Sequence, residues 1–468
     1  MEKPIGIELL ERVAASEPVA HKLRAIQSAQ WPVQFSHVIQ PAQPFLAAII
    51  AHAWHRLSAS DPRRADSTLW LLCPTVHSQE SLYESLLNWQ PDALFLPEAE
   101  FAAAENVLPD PEIAAERLAV LMQIGREPGP HIVVATRASL DQAAPARGTL
   151  HSAVTQLRRG ATSQMERLLE QLMANGYDRV AQVTTRGQFA VRGGIIDLYS
   201  WQAPLPFRFE FFGDQIESLR EFDIDTQTSV RDLRSVDILL DQEALDQSGH
   251  VRDYVAPNHL KVDVEPEEIS DAQIQISEGW IETGPEDFSG AFQDCEIGEF
   301  AVGDLVLAEA KRAQFVERLQ EWRANKAKIV IYFQTEGEIE RFREIMAGAI
   351  EGVDFVEGTL ARGFCFPAAN LVVLSAAELF GRFAAHPRRR LHRAERNRAQ
   401  IDFSELNEGD LVVHLEHGIG RFLGLDKFVV GRAPRLPSAH GTDSATPNAF
   451  GVALQLLRRR DDQPRPAR

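Results

Sequence analysis

Thr68-Leu69-Trp70-Leu71-Leu72-Cys73-Pro74 is an unbroken apolar run closed by a proline, the pattern of a strand covered on both faces. Leu82, Leu86 and Leu87 follow it at helical spacing. Asp110-Pro111-Glu112 then sets an acidic cap and a proline at the first helical position, opening a helix to about Gly125 whose apolar face holds Ile113, Leu118, Leu121 and Met122. Ile132-Val133-Val134-Ala135-Thr136 is a second strand of the first kind. Strand, helix, strand is the grammar of a parallel sheet, so residues 1–150 read as an α/β domain.

The rest of the chain is long enough for more than this. At 468 residues it allows about three domains. With 44% hydrophobic and 25% charged residues it is ordinary globular protein, neither a peptide hormone nor a disulfide knot. Cys73, Cys295 and Cys365 are too few and too widely spaced for a disulfide framework or a zinc ribbon and fit a reducing compartment. No run of about 18 apolar residues exists and the N-terminus has no apolar signal core, which predicts a cytoplasmic protein without a membrane partner.

The net charge of −19 argues against phosphate binding only until its location is read. Between Asp237 and Asp304 there are 18 acidic residues against Arg252 and Lys261, a balance of −16. The remainder is nearly neutral and contains a run, Arg388 to Arg398, with six arginines and one acid: a solvated linker, or a contact for phosphate or an acidic protein.

Met165, Leu168, Leu169, Leu172 and Met173 mark an amphipathic helix stopped by Asn175-Gly176. The period then changes. Gln188 to Leu198 reads as one strand with Gly193-Gly194 as a bulge or positive-φ site inside it, and Phe207 to Phe212 as another, turning at Gly213-Asp214. These define a small α+β unit over 151–240. The acidic segment 241–325 has little periodicity and reads as a loosely structured connection with a few helical turns, returning to the first domain. Lys328–Phe333, a helix from Glu336 to about Met346, and Asn370–Leu374 give a small α/β domain over 326–385. A basic linker, 386–402, leads to a small β module starting at 403–430, and 431–468, rich in Pro and Arg, reads as a disordered tail in which no strand or helix period survives beyond the short stretch Phe450 to Leu457.

Catalytic equipment is hard to find. No G-x-x-x-x-G-K-[ST] loop occurs, and Ser36 to Ala51, where such a loop would sit, has neither glycine nor lysine. His414 and His417 are three apart but lack a third ligand nearby, and His52 and His55 share a helix face without a partner, so no metal site is predicted. No cofactor is expected, and the chain reads as a non-enzyme.

Two strings are specific. Arg186-Gly187-Gln188-Phe189-Ala190-Val191-Arg192-Gly193-Gly194-Ile195-Ile196-Asp197-Leu198-Tyr199, continued by Leu205 to Arg220, resembles the UvrB interaction domain. Leu406 to Leu425, with Gly409-Asp410-Leu411-Val412-Val413-His414 and Gly418-Ile419-Gly420-Arg421-Phe422, is similar to the CarD-like RNA-polymerase-interacting module. Their order resembles the family of bacterial transcription-repair coupling factors.

The resemblance implies an α/β multidomain fold: a UvrB-like parallel α/β domain without a phosphate loop, an inserted α+β UvrA-binding domain, a second small α/β domain, and an incomplete small β module of CarD or Tudor type. It implies UvrA as partner, contacted by Arg179, Arg186, Phe189 and Arg192. Arg192 is also readable as an arginine paired within its own domain and Phe189 as a core residue, with Asp197, Glu210 and Asp214 as internal mates for the arginines. It implies the RNA polymerase β subunit as a weaker partner, met by a sheet edge at Leu411 to Val413 and by Arg421, Phe422 and Phe428. The later strands are expected to be missing, which would leave a marginal two-stranded remnant. Direct DNA contact stays open. Members of this family continue into an ATP-driven DNA translocase, and this sequence ends before such motifs. The expectation is a motor-less fragment with a tail produced by a frameshift or premature stop. A UvrB-like ATPase and a regulator that binds polymerase alone are the alternatives.

Overall fold

The computed structural model describes residues 4–60, 67–99, 111–126, 130–240, 248–264, 273–276, 291–295, 297, 305–346, 348–380, 411–414, 418–428 and 449–456. They fall into two compact units, 1–390 and 391–468.

The first unit is built on a six-stranded parallel sheet in the order Val33–Phe35, Gln273–Ile276, Leu260–Val264, Leu69–Cys73, Ile132–Thr136, Leu94–Phe95. Leu69–Cys73 and Ile132–Thr136 are buried along their whole length because layers cover both sides of the sheet. One cover is the helix Gln43–Ser60, which buries Phe45, Leu46, Ile49, Ile50 and Trp54. Another is Pro111–Arg126, with Leu118, Leu121 and Met122 inward.

Two members of this sheet correct the expectation of a loose acidic connection over 241–325. Leu260–Val264 is an interior strand and Gln273–Ile276 lies beside it, and the same segment goes on to the long helix Leu305–Ala324. The acidic residue that breaks the apolar pattern, Asp263, is 4% exposed and is paired by Arg137, whose Nε donates at 3.0 Å while its Nη2 donates to the Val264 carbonyl at 3.0 Å. A partner 126 positions upstream neutralises the charge, so local composition could not show a strand there.

A second, smaller α/β layer has the sheet order Val353–Glu357, Lys328–Phe333, Leu371–Ser375, Phe364–Phe366, with helix Glu336–Met346 turning Ile339, Phe342 and Met346 inward. Inserted in sequence between the strands Ile132–Thr136 and Leu260–Val264 of the first sheet lies a six-stranded sheet: Ser229–Asp232, Gln215–Phe222, Phe207–Phe212, Ile195–Tyr199, Gln188–Arg192, Asp178–Arg179. Gly193-Gly194 is not a bulge within one strand but the two-residue loop of a tight antiparallel hairpin, with Arg192 opposite Ile195 and Gly193 at φ +61°. Such a loop needs positive φ, which glycine adopts without a Cβ clash. The helix Met165–Ala174 buries Leu168 and Leu172 against this sheet, whereas Met173, expected on the same face, is 50% exposed. Asn175 caps it and Gly176 leaves it at φ +81°.

The second unit holds three antiparallel strands, Leu411–His414, Gly418–Phe428 and Ala449–Leu456, with the 11-residue strand in the middle. The expected two-stranded remnant is therefore corrected. Ala449–Leu456, inside the segment 431–468 read as a disordered tail, pairs with the middle strand from Phe428↔Ala449 to Gly420↔Leu456. His417 and the arginine run 388–398 lie outside the described residues.

Candidate functional site

The inserted sheet has two unlike faces, set by register. Phe189, Leu198, Phe207, then Ile196, Phe209 and Leu219 align across strands on one face and are buried beneath the helix. The other face carries charge. Asp197 stands opposite Arg208 and accepts two bonds from it, 2.6 and 2.9 Å, while Arg208 also lies 4.3 Å from the Phe222 ring. Glu210 accepts from Arg220 on the same face, whereas Glu221, opposite Phe207 by register, is a buried carboxylate that accepts from Arg231 at 2.5 and 3.0 Å. The bond from Asp197 raises the already high Arg208 pKa, and Glu221 does the same for Arg231. These cross-strand pairs correct the expectation that Asp197, Glu210 and Asp214 serve Arg179, Arg186 or Arg192. Asp214 instead receives the Ser163 amide on its carbonyl at 2.6 Å.

The four residues expected to meet UvrA separate into two groups. Arg179 and Arg192 are exposed and sit along one edge of the sheet. Asp178–Arg179 is the edge strand, running parallel to Gln188–Arg192 with Arg179 opposite Phe189, and the Arg192 Nη2 reaches across that edge to the Ala181 carbonyl at 3.1 Å. Among the described residues neither Arg179 nor Arg192 has a carboxylate partner, and Arg192 makes only the one backbone hydrogen bond to Ala181.

Phe189 and Arg186 belong to the interior. Phe189 is fully buried in the cluster with Leu168, Leu172, Leu198 and Phe209, so the expected direct contact is corrected to a core role. Arg186 is spent internally: Nη1 and Nη2 donate to Glu112 Oε1 and Oε2 at 2.6 and 2.8 Å, Nε donates to the Ala203 carbonyl at 3.0 Å, and the guanidinium lies 4.9 Å from the Tyr199 ring. Its side chain is 11% exposed. Glu112 opens the helix Pro111–Arg126 of the parallel domain, so this fork ties the inserted unit to that helix.

The loop that carries Arg186 is tightly held. Gln188 Oε1 accepts from the Thr184 and Thr185 amides at 3.0 and 3.2 Å and from the Thr184 hydroxyl at 3.1 Å. Gly187 stands at φ +77° against Trp201, where a Cβ would lie 2.1 Å from the indole. Behind it, Tyr177 donates to the Leu239 carbonyl at 2.5 Å, and burial pushes its pKa up to about 12.

Sequence reasoning missed two features elsewhere on the inserted unit. Phe212, at the tip of the hairpin that adjoins Gly193-Gly194, is 79% exposed although its neighbours Phe207 and Phe209 are core. The irregularity between Glu210 and Phe211 shifts the register there, which alternation alone does not reveal. Arg159 and Arg234 line an open depression of about 550 Å³ together with Gly160, Gln215, Ile216 and Glu217. Adjacent Arg158-Arg159 was the only signal for it in the sequence.

In the second unit, Leu411 and Val413 lie on an outer strand, opposite Arg421 and Ile419. Arg421 and Phe422 lie on the middle strand and pair with Gln455 and Leu454, and Arg421 is also opposite Leu411 on the outer strand. Phe428 pairs with Ala449.

Comparison with known proteins agrees with this arrangement. A family profile described as the UvrB interaction domain matches residues 155–243, and one described as the CarD-like/TRCF RID domain matches 406–437, past the point where the tail was expected to begin. The class is thus a chain that combines these two modules in this order. The transcription-repair-coupling factor of Bacillus subtilis is 23% identical, the alignment covering 82% of this chain and 42% of that protein. Its Escherichia coli counterpart is 21% identical over 83% and 42%. That of Haemophilus influenzae is 30% identical over 32% of this chain and 13% of the relative. The chain is thus similar to the transcription-repair-coupling factors over most of its length. It spans about 42% of the length of the first two.

Proposed function

We propose that this chain binds UvrA through the sheet edge bearing Arg179 and Arg192 and so acts as an adaptor in transcription-coupled nucleotide excision repair. The observation that carries the reading is this pair of exposed arginines, which have no carboxylate partner among the described residues, on a sheet where Arg208, Arg220 and Arg231 all have one. A planar guanidinium without a carboxylate partner of its own is suited to bidentate pairing with carboxylates on another protein. Arg186 and Phe189 hold that edge in place from within.

A second contact, with the RNA polymerase β subunit, is supported by the three-stranded sheet of the second unit. Its outer strand Leu411–His414 offers backbone groups for strand addition. We read the chain as cytoplasmic, and among the described residues no helix is long and apolar enough to cross a membrane. We also propose that it hydrolyses no ATP and needs no cofactor. Ser36 to Ala51 folds as a short turn, Gln40–Ala42, running into a buried helix whose first residues are Gln43, Pro44 and Phe45, and the buried proline supplies no amide for a phosphate.

Affinity capture from cell extract tests the adaptor. Wild-type chain should retain UvrA and Arg192→Ala should lose most of it. Polymerase without UvrA on both would replace the adaptor with a polymerase regulator, and DNA-stimulated ATP hydrolysis would revive the enzyme reading.

A further inference from the structure

Two cysteines 70 positions apart meet in the second α/β layer. Cys365 is the middle residue of the strand Phe364–Phe366, whose two phenylalanines are fully buried while Cys365 is only partly so. The segment 291–295 runs beside it. The Gln293 amide donates to the Cys365 carbonyl at 2.8 Å and the Cys365 amide to the Gln293 carbonyl at 2.7 Å, a single antiparallel bridge. Asp294 adds a bond from Arg362 at 2.8 Å, and Arg362 lies 3.9 Å from Glu378.

This clamp brings Cys295 Sγ to 2.7 Å from Cys365 Sγ. Cys295 itself is fully buried among Phe315, Leu319, Ile329 and Val372, with Val373 O 3.8 Å from its sulfur. Packing alone would keep two uncrosslinked sulfurs farther apart, and a bond of about 2.04 Å requires only a short further approach. Cys365 is the less buried of the two residues and Cys295 is fully buried against it, the arrangement of an attacked thiol and a resolving thiol.

We propose that Cys295 and Cys365 are a reversible thiol–disulfide pair that responds to peroxides. The Cys365 sulfur attacks one peroxide oxygen and breaks the O–O bond, giving a sulfenic acid and one water. The Cys295 sulfur then attacks the Cys365 sulfur and displaces hydroxide, which leaves as a second water with the Cys295 proton. Two thiols lose two electrons and one hydrogen peroxide is reduced to two waters. A dithiol reductant reverses the change by exchange. The bond closes a loop from 295 to 365 that contains the helix Leu305–Ala324, the strand Lys328–Phe333, the helix Glu336–Met346 and the strand Val353–Glu357. It makes the clamp on segment 291–295 covalent, so that oxidation stiffens the layer that follows the inserted unit.

The test uses the full chain treated with hydrogen peroxide under native conditions, then alkylated and mapped by peptide mass spectrometry. The expected product is one crosslinked peptide joining Cys295 to Cys365, with loss of two of the three alkylatable thiols, full recovery on adding dithiothreitol, and Cys73 unchanged. In Cys295→Ser the Cys365 sulfenic acid should persist and be trapped by dimedone, and the oxidation-dependent rise in melting temperature should vanish. A Cys365 sulfinic acid with Cys295 still alkylatable in the wild type, or a crosslink through Cys73, overturns the proposal. The wild-type map decides the question even if the variant fails to fold.

Discussion

Breaking the Arg186–Glu112 fork measures directly whether the inserted unit is fastened to the parallel domain by that contact. In Glu112→Gln the carboxylate becomes a neutral amide of nearly the same shape, and Arg186 keeps only its bond to Ala203 and its place beside Tyr199. A fully buried pair loses about 3–5 kcal/mol when one partner is removed, whereas an exposed pair loses about 0–1 kcal/mol. Here the arginine is 11% exposed and the glutamate 37%, which places the expected loss between these limits, at about 2 kcal/mol. Arg186→Met also gives up the Ala203 bond and the aromatic contact, for about 3 kcal/mol. The double variant should cost about 3 kcal/mol rather than the 5 of independent effects, a coupling of about 2 kcal/mol. Urea titration followed by tryptophan fluorescence reads all four proteins, since Trp201 packs against Gly187 next to the pair. Additive losses, or a Glu112→Gln protein within about 0.5 kcal/mol of wild type, would refute the assignment of Arg186 to docking.

Phe189→Ala should destabilise the protein by about 3–5 kcal/mol in the same titration while UvrA affinity per folded molecule stays close to wild type; a stable variant that no longer binds UvrA would return Phe189 to the contact surface. Gly187→Ala meets both a φ of +77° and the Trp201 ring, and should lose more than about 1 kcal/mol, with a shifted tryptophan emission maximum as the check. Burial, reinforced by His52 and His131, holds the His55 pKa below the ordinary histidine value of about 6.5. The folded state therefore binds fewer protons there than the unfolded state, so the contribution of His55 is complete above that value and is lost as pH falls below it. Melting temperatures between pH 7.5 and 5.5 should fall less steeply in His55→Gln than in wild type, and parallel slopes would remove His55 as the cause.

Part of this was legible in the sequence because the signals were local. Leu69–Cys73 and Ile132–Thr136 are apolar throughout, and a strand buried on both faces has to be. Phe207 and Phe209 alternate with Arg208 and Glu210, which foretold one apolar and one charged face. Applying the same alternation to Phe189 and Val191 would have put Phe189 on the apolar face with Phe207. What stayed hidden depended on partners distant in sequence. Asp263 obscured a strand until Arg137 was brought to it, Arg186 looked free until Glu112 arrived 74 positions upstream, and Cys295 and Cys365 looked unrelated. Gly193-Gly194 was ambiguous for another reason: two glycines permit a bulge or a hairpin loop equally, and only the pairing of Arg192 with Ile195 separates them. The strand Ala449–Leu456 coincides with the one short stretch of the tail that keeps a period, Phe450 to Leu457, a signal too brief to outweigh the prolines and arginines on either side of it.

The central claim is that the Arg179–Arg192 edge, and not the interior pair Arg186 and Phe189, forms the contact with UvrA. Calorimetric titration of purified UvrA into the wild-type chain and into Arg179→Ala/Arg192→Ala tests it, with matched circular dichroism and urea midpoints establishing that both are equally folded. Saturable binding by wild type, weakened at least about tenfold in the double variant, or about 1.4 kcal/mol, is the predicted result. Equal affinity of the two proteins, or no binding by the wild type, would contradict it.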